Sequence, residues 1–224
     1  MKQIALTFDD GPNTTTTAEV LDKLKKYGVV ASFFLIADNI NEDSAKKARE
    51  AYEMGCEICN HSRTHSHMDT LDADTIREEI RYTNDRILEI TGEMPRFFRP
   101  PFIDVNDTMF ENIDLPFICG HGGLDWDNTV ETQRRASLIL DAVDDGSIIL
   151  LHDMEGNDKT VAALDIIIPT LKDHGFEFVT VTDLFKNKGI TPKVHSGIVY
   201  SDVTDTEKFH NIDEGEKCSA EKRS

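Results

Sequence analysis

The sequence predicts an α/β protein built on a parallel sheet, and the order of its apolar segments is the main reason. Short continuous apolar runs alternate with longer stretches in which apolar residues recur every three or four positions. The runs are typical of buried strands, and the longer stretches are typical of helices that cover a sheet. Strands that alternate with helices pair in parallel, in an open sheet or in a barrel.

Each predicted element has its own signal along the chain. Strands are predicted for the apolar runs at residues 4–8, 29–36, 57–60, 115–119, 147–151 and 176–181. Helices are predicted for residues 20–27, 43–54, 74–91, 132–145 and 160–173. Asp74 can cap the third helix, and a glycine follows or closely follows the end of each helix, as helix termini favour.

Length and composition predict one globular domain, residues 1–185, followed by a tail. The chain has 224 residues, of which 39% are hydrophobic and 29% are charged, as in a globular protein with one core. Residues 186–224 have few apolar side chains and no periodicity, so they are predicted to be a partly disordered C-terminal tail. A complete (β/α)₈ barrel needs about 250 residues, so a barrel within residues 1–185 must lack some parts.

Charge excludes several kinds of partner. The formal net charge is −18, and phosphates would be repelled, so no nucleic acid and no anionic membrane is expected. No apolar run approaches the roughly 20 residues that span a bilayer, and the N-terminus resembles a strand rather than a secretory signal. We expect a cytoplasmic monomer if the chain is complete, or alternatively a secreted protein whose signal has been removed.

Acidic, imidazole and guanidinium groups stand at or near the ends of the predicted strands. Asp9 and Asp10 end the first strand, where Asp-Gly is also ordinary turn chemistry. His61 and His65 follow the 57–60 strand, and such a pair with a carboxylate can form an open metal site of the hydrolytic type. A polar histidine-rich loop is the alternative interpretation of that pair.

Two further segments carry candidate groups. Arg99 precedes two prolines that stiffen its loop, and His152 follows a strongly apolar strand, where α/β proteins place catalytic groups. Each segment taken alone favours a structural role: a turn with a surface arginine, or a histidine bound to a backbone group.

Together, the motifs TFDDGP, HSRTH, FFRPP, Asp125-Trp126 and LLHD occur in an order that resembles the polysaccharide deacetylases of carbohydrate esterase family 4. The resemblance covers roughly residues 3–185. The stretch ALDIIIPTLKDHGFEFVTVTDLF, with FFRPP and DGSIILLHD, is most similar to the acetylxylan esterase branch. The resemblance implies a distorted, incomplete (β/α) barrel of about seven parallel strands.

The resemblance also implies a role for individual residues. It implies a divalent ion, zinc or cobalt, held by Asp10, His61 and His65. It implies that Asp9 is the base, paired with Arg99, and that His152 is the acid, paired with Asp125. It further implies an acetyl pocket walled by Trp126 and Leu150, with the backbone N–H of Phe102 as oxyanion donor.

Residue types at these positions suit the chemistry of acyl transfer. A divalent cation polarises a carbonyl and acidifies water, a facing arginine favours an ionised base, and a neighbouring carboxylate favours a protonated histidine. The expected reaction is removal of acetyl groups from a glycan, with O-acetyl xylan as the expected substrate.

Departures from the family pattern bear on the substrate. Phe102-Ile103 stands where Tyr-Gly is frequent in the family, Cys56 and Cys59 stand where histidine and glycine are more usual, and GHGGLDW is irregular. An N-deacetylase of chitin-type or peptidoglycan glycans is therefore the second hypothesis. Two remote alternatives are a non-catalytic glycan-binding module and a structural zinc protein that uses the two cysteines, although positions three apart on a strand face opposite sides.

Overall fold

The computed structural model describes residues 2–209, which form eight strands and seven helices. The strands are β1 (Lys2–Asp9), β2 (Ser32–Leu35), β3 (Glu57–Asn60), β4 (Phe117–Ile118), β5 (His121–Gly122), β6 (Ile148–His152), β7 (Phe176–Val179) and β8 (Val199–Tyr200). The helices are α1 (Thr16–Tyr27), α2 (Glu42–Glu53), α3 (Ala73–Thr91), α4 (Asp107–Asn112), α5 (Thr132–Ala142), α6 (Asp158–Asp173) and α7 (Val181–Asn187).

All ladders between these strands are parallel, as the alternation of strands and helices predicted. The larger sheet has the order β3-β2-β1-β6-β5, and β7 also pairs with β1. The smaller sheet contains β4 and β8. Isolated β-bridges connect the two sheets: Phe98 bridges to both Asn60 and Phe117, and Ser147 bridges to Asp202. The result is a barrel-like arrangement in which the sheet is not closed by continuous ladders.

The core explains why the central strands are apolar at almost every position. In β1, residues 4–9 are all buried, because one face packs under the helices and the other faces the barrel interior. The helix-facing cluster includes Leu6, Phe8 and Phe33, and a second cluster includes Ala5, Phe34 and Tyr200. Because both faces of the central strands are covered by apolar side chains, polar side chains are concentrated at the strand ends.

Cys56 and Cys59 are free, buried thiols that belong to different core clusters. Burial raises the pKa of Cys56 to about 11, with a backbone hydrogen bond only partly offsetting it, and raises the pKa of Cys59 well above its ordinary value. Protonated thiols on opposite faces do not share a metal ion. This arrangement argues against the structural zinc protein.

Several boundaries differ from the sequence prediction. The strand expected at 29–36 is restricted to Ser32–Leu35, and the α3 cap is Asp72, which accepts from the Thr75 N–H, rather than Asp74. The strand expected at 176–181 is β7, which ends at Val179, because the Thr180 side chain accepts from the Asp183 N–H and starts α7.

The segment after residue 185 is partly built into the fold. Val199 and Tyr200 are buried and extend the sheet beside β4, and Asp202 bridges to Ser147. The rest of the predicted tail, residues 210–224, lies outside the described residues, so its partial disorder stays a prediction. Within the described residues, no helix combines the length and apolar character that crossing a bilayer requires.

Candidate active site

The candidate site lies where the parallel strands end. Asp9 is the last residue of β1, His152 is the last residue of β6, and these two residues are register partners. His61 directly follows β3, the strand on the other side of β2. Parallel pairing places all of these carboxyl ends at one edge, so residues far apart in sequence meet there.

Asp10, His61 and His65 form a compact group in which one possible ligand atom from each residue lies within 4.8 Å of the others. Asp10 Oδ1 lies 3.4 Å from His61 Nε2 and 3.3 Å from His65 Nε2. These separations are too long for strong hydrogen bonds between the side chains and leave room for an ion between them. The structure thus brings together the three residues for which the resemblance implies metal binding.

The donor atoms of this group fit a divalent cation. Asp10 Oδ1 is buried and has no hydrogen-bond partner among residues 2–209, which is costly unless a cation occupies the space in front of it. His61 Nδ1 lies 2.7 Å from the Arg99 carbonyl oxygen. Because a carbonyl only accepts, His61 Nδ1 carries a proton, so Nε2, the ring nitrogen that faces Asp10, is the atom available to bind a metal ion.

The electrostatics of the group favour ligands without protons at two positions. Burial raises the pKa of Asp10, but His61 and the charges of His152 and His65 bring it well below its usual range. Burial and the charge of His61 lower the pKa of His65. An ionised carboxylate and a neutral imidazole are the forms that bind a metal.

Asp9 lies beside this group and is held by Arg99. The Arg99 Nη1 donates to Asp9 Oδ1 at 2.5 Å, and both side chains are almost fully buried. The Arg99 guanidinium also lies 4.1 Å from the centre of the Phe34 ring and donates to the Cys119 carbonyl. These contacts fix the arginine, and its charge-assisted hydrogen bond fixes the orientation of the Asp9 carboxylate.

His152 is paired with Asp125. Asp125 Oδ1 lies 2.8 Å from His152 Nδ1, and Asp125 Oδ2 accepts from the His152 backbone N–H at 2.8 Å. Burial lowers the pKa of His152, but the charges of Asp125, Asp9 and Asp10 raise it to about 9. His152 is therefore protonated at neutral pH in the metal-free protein, and a cation bound nearby would lower this pKa.

Glu79 is a site residue that the sequence analysis missed. Its buried carboxylate accepts from the Arg63 and Thr64 backbone N–H groups, both at 2.9 Å, and so fixes the loop between His61 and His65. The signal was present, because Glu79 falls between Ile76 and Ile80 on the apolar face of α3.

Backbone strain is concentrated around the site. Asp10, His65, Phe102 and Leu124 all have φ between 53° and 75°, a region that residues other than glycine seldom adopt. Such conformations persist where the surrounding structure holds them, and they often occur at functional sites.

An apolar cavity of about 400 Å³ opens in front of these groups. Besides Asp9, Asp10, His61, His65, Asp125 and His152, its lining includes Pro100, Phe102, Ile103, Gly122, Leu124, Trp126, Leu150 and Met154. Leu150 is buried in the cavity wall, whereas Trp126 and Phe102 are 61% and 42% exposed. All the catalytic, metal and pocket residues suggested by the resemblance line this cavity, except Arg99, which lies behind Asp9.

A larger polar cavity, of about 600 Å³, shares Asp10, His65 and Met154 with the apolar one. Asn13, Asn39 and Asn41 contribute to its lining. The two cavities therefore adjoin at the Asp10 carboxylate.

A second possible ligand group contains His67, Asp69 and Asp104. His67 is exposed, its Nδ1 lies 3.1 Å from Asp104 Oδ2, and its ring stacks on Phe102 with centroids 3.9 Å apart. Asp69 Oδ1, like Asp10 Oδ1, is buried and has no hydrogen-bond partner among the described residues. Because His67 is exposed and already pairs with Asp104, the first group, in which His61 is buried, is the better candidate metal site.

The fold and the site place this chain in a class of α/β proteins in which a possible metal centre, a buried carboxylate and a histidine–carboxylate pair meet at one cavity, an arrangement typical of hydrolytic metal sites. The chain belongs to the polysaccharide deacetylase family, whose model matches residues 1–114. The resemblance to carbohydrate esterase family 4, and to its acetylxylan esterase branch, is confirmed by the following similarities.

Among curated proteins, the chain is 49% identical over 193 residues to the bifunctional xylanase/deacetylase of Pseudobutyrivibrio xylanivorans, covering 86% of this chain and 32% of that protein. It is 34% identical over 213 residues to the peptidoglycan-N-acetylglucosamine deacetylase PgdA of Listeria monocytogenes, and this match covers 92% of this chain and 42% of that protein. The chain therefore spans less than half the length of either relative.

Two solved structures are similar over almost their whole length. The Xyl-CE4 domain of a multidomain xylanase from the hindgut metagenome of Trinervitermes trinervoides has a TM-score of 0.88 and 47% identity, covering 90% of this chain and 98% of that one. A family 4 acetyl xylan esterase from Clostridium thermocellum, in complex with a cobalt ion, has a TM-score of 0.87 and 44% identity. The match covers 91% of this chain and 100% of that one. The predicted distorted (β/α) barrel is thus confirmed.

Proposed function

We propose that this chain is a metal-dependent deacetylase that removes O-acetyl groups from xylan or its oligosaccharides. The observation that carries the proposal is the meeting of Asp10, His61 and His65 with two separate proton-handling pairs in one cavity. The cobalt ion in the Clostridium thermocellum esterase supports a divalent metal, and zinc or cobalt is the ion that we propose here.

Asp9 is the proposed general base. When bound, the divalent ion supplies polarisation of the acetyl carbonyl and acidification of a water molecule. The Asp9 carboxylate accepts the proton of the attacking water, while the buried Arg99 holds that carboxylate in position. A fixed, ionised base is needed because a neutral carboxyl group accepts no proton at neutral pH.

His152 is the proposed general acid. Asp125 holds the proton on His152 Nδ1, so the other ring nitrogen, Nε2, is free to protonate the departing sugar oxygen. The raised pKa of His152, about 9 without the metal, keeps this proton available at neutral pH. A sugar alkoxide is a poor leaving group, so this proton is needed in the ester reaction.

The apolar wall is the proposed acetyl pocket. Leu150 and Trp126 offer apolar contacts to a methyl group, and the backbone N–H of Phe102 is the proposed donor to the developing oxyanion. The exposed rings of Phe102 and Trp126 are available to the adjoining sugars.

The choice of xylan is supported by the relatives and by charge. The xylanase/deacetylase and the acetyl xylan esterase are more similar to this chain than the peptidoglycan deacetylase is. The net charge of −18 is more compatible with a neutral glycan than with an anionic polymer. An N-deacetylase of chitin-type or peptidoglycan glycans stays the second candidate, supported by the 34% identity to PgdA.

A substrate panel tests this proposal. The protein is stripped with a chelator, reloaded with individual divalent ions, and assayed for acetate release from acetylated xylo-oligosaccharides and from acetylated chito-oligosaccharides. We expect no release without metal, and faster release from the xylo-oligosaccharides after zinc or cobalt is added. Release from chito-oligosaccharides alone would favour the N-deacetylase, and full activity in the stripped protein would refute the metal dependence.

A further inference from the structure

Arg135 on α5 is a buried cation that makes no direct ion pair among the described residues, although its charge acts on the nearby Asp127 carboxylate. Its side chain is 0% exposed, and no carboxylate oxygen of residues 2–209 lies within 4.0 Å of its guanidinium. Burying an unpaired charge is costly, so its position requires compensation from hydrogen bonds. The compensating partners are neutral groups, and they lie around the Asp125 carboxylate.

Two of these partners are carbonyls of the loop that follows Asp125. Arg135 Nε donates to the Val130 carbonyl at 2.9 Å, and Arg135 Nη2 donates to the Asp127 carbonyl at 3.0 Å. The arginine therefore fixes the backbone immediately after Trp126.

The other two partners are side chains at the start of α6. Arg135 Nη1 donates to Asn157 Oδ1 at 2.5 Å and to Thr160 Oγ1 at 2.8 Å. One guanidinium nitrogen thus holds two residues that also contact Asp125.

These bonds determine which way Thr160 and Asn157 donate. The Thr160 hydroxyl accepts from Arg135, so its single proton goes to Asp125 Oδ2, at 2.9 Å. The Asn157 oxygen faces Arg135, so its Nδ2 donates to the His152 carbonyl at 2.9 Å and lies 3.5 Å from Asp125 Oδ2. Without the guanidinium, neither the hydroxyl nor the amide would be held in this orientation.

Asp125 consequently faces donors on every side that the structure describes. His152 Nδ1 and the His152 backbone N–H supply two of them, and Thr160 supplies the third. A carboxylate that accepts from several fixed donors is held in one orientation, which is what the partner of an acid-forming histidine needs.

We infer that Arg135 is a positioning residue for the general acid: through Thr160 and Asn157 it orients the Asp125 carboxylate against His152. This inference rests on the proposed function, because it assigns Arg135 to the step in which a sugar oxygen leaves.

The test compares two leaving groups. A sugar acetate needs a proton on the departing oxygen, whereas an aryl acetate has a stable leaving group and departs without one. For Arg135→Gln we expect kcat on an acetylated xylo-oligosaccharide to fall about 10- to 100-fold, in the range typical of residues that orient a reacting group from behind. We expect kcat on the aryl acetate to change less than about 3-fold, because its leaving group needs no proton from His152.

Two further variants make the test decisive. Thr160→Val removes one donor to Asp125 with little change of shape, so it tests the same pathway if Arg135→Gln fails to fold. Arg134→Gln is the matched control, because Arg134 is the exposed neighbour on the same helix. We expect the valine variant to behave like the Arg135 variant and the control to behave like wild type on both substrates.

A second readout is independent of the glycan. The proton shared by His152 Nδ1 and Asp125 should give a downfield proton NMR signal in wild type and in the Arg134 variant. We expect this signal to shift or disappear in Arg135→Gln and Thr160→Val. An unchanged signal, or equal losses on both acetates, would overturn the positioning role. Wild-type protein that deacetylates no sugar would refute the proposed function instead, and the NMR comparison would then decide the role of Arg135.

Discussion

Replacing Asp10 with alanine is expected to abolish metal binding and to lower kcat for acetate release by at least about 10³-fold. Asp10 supplies the only carboxylate of the first metal group, and its Oδ1 atom has no other partner. Metal polarisation of a carbonyl contributes several kcal/mol to the transition state, which corresponds to a rate factor of about 10³ or more. Metal content by mass spectrometry and acetate release by a coupled assay measure the two effects.

Asp9→Asn is the matched comparison for this variant, because the two carboxylates are adjacent but have different proposed roles. The amide of the new side chain cannot accept the proton, so we expect kcat to fall about 10²- to 10⁴-fold, while the metal content stays near wild type. If Asp10→Ala retained both its metal and its activity, or if Asp9→Asn lost the metal as Asp10→Ala does, the division of roles would be wrong.

Replacing His152 with glutamine is expected to lower kcat on an acetylated xylo-oligosaccharide by about 10²- to 10⁴-fold, the range of general acid catalysis. Glutamine keeps a hydrogen-bonding side chain beside Asp125 but has no acidic proton to deliver. Activity on an aryl acetate should fall much less, because that leaving group needs no proton. An equal loss on both substrates would indicate that His152 does not act as the acid.

The same variant has a predicted effect on pH dependence. The acid acts in its protonated form, so activity of the wild type falls as pH rises through the pKa of His152. Burial lowers this pKa and the charges of Asp125, Asp9 and Asp10 raise it to about 9, whereas a bound cation lowers it again. We therefore expect the alkaline limb of kcat in the loaded wild type to lie below pH 9 and to be absent in the glutamine variant, as measured across a pH series.

The residues that meet at the cavity were predictable, because they stand at strand ends in contiguous motifs. Parallel pairing converts that property into proximity, so Asp10 and His61 meet although they are far apart in sequence. Residues that support the motifs through hydrogen bonds were not predicted from the sequence, because Glu79 and Arg135 lie inside helices, away from the strand ends. A charged residue on the buried side of a helix is a usable signal, but its partner depends on packing that the sequence does not show.

The long helices of the fold were predicted better than its shortest strands. Long periodic segments such as α3 and α6 were identified, because many residues contribute to each pattern. Strands of two residues, such as β5 and β8, have too few positions to show a period. Their existence depends on neighbouring strands that offer free backbone groups, which is a tertiary property.

The most direct test of the account is to locate the metal in a crystal of the zinc-loaded protein by anomalous scattering at the zinc absorption edge. The account predicts one strong peak within bonding distance of Asp10, His61 and His65, and no peak there for Asp10→Ala. A peak only at His67, Asp69 and Asp104, or no peak at the first group in fully loaded and active protein, would contradict it.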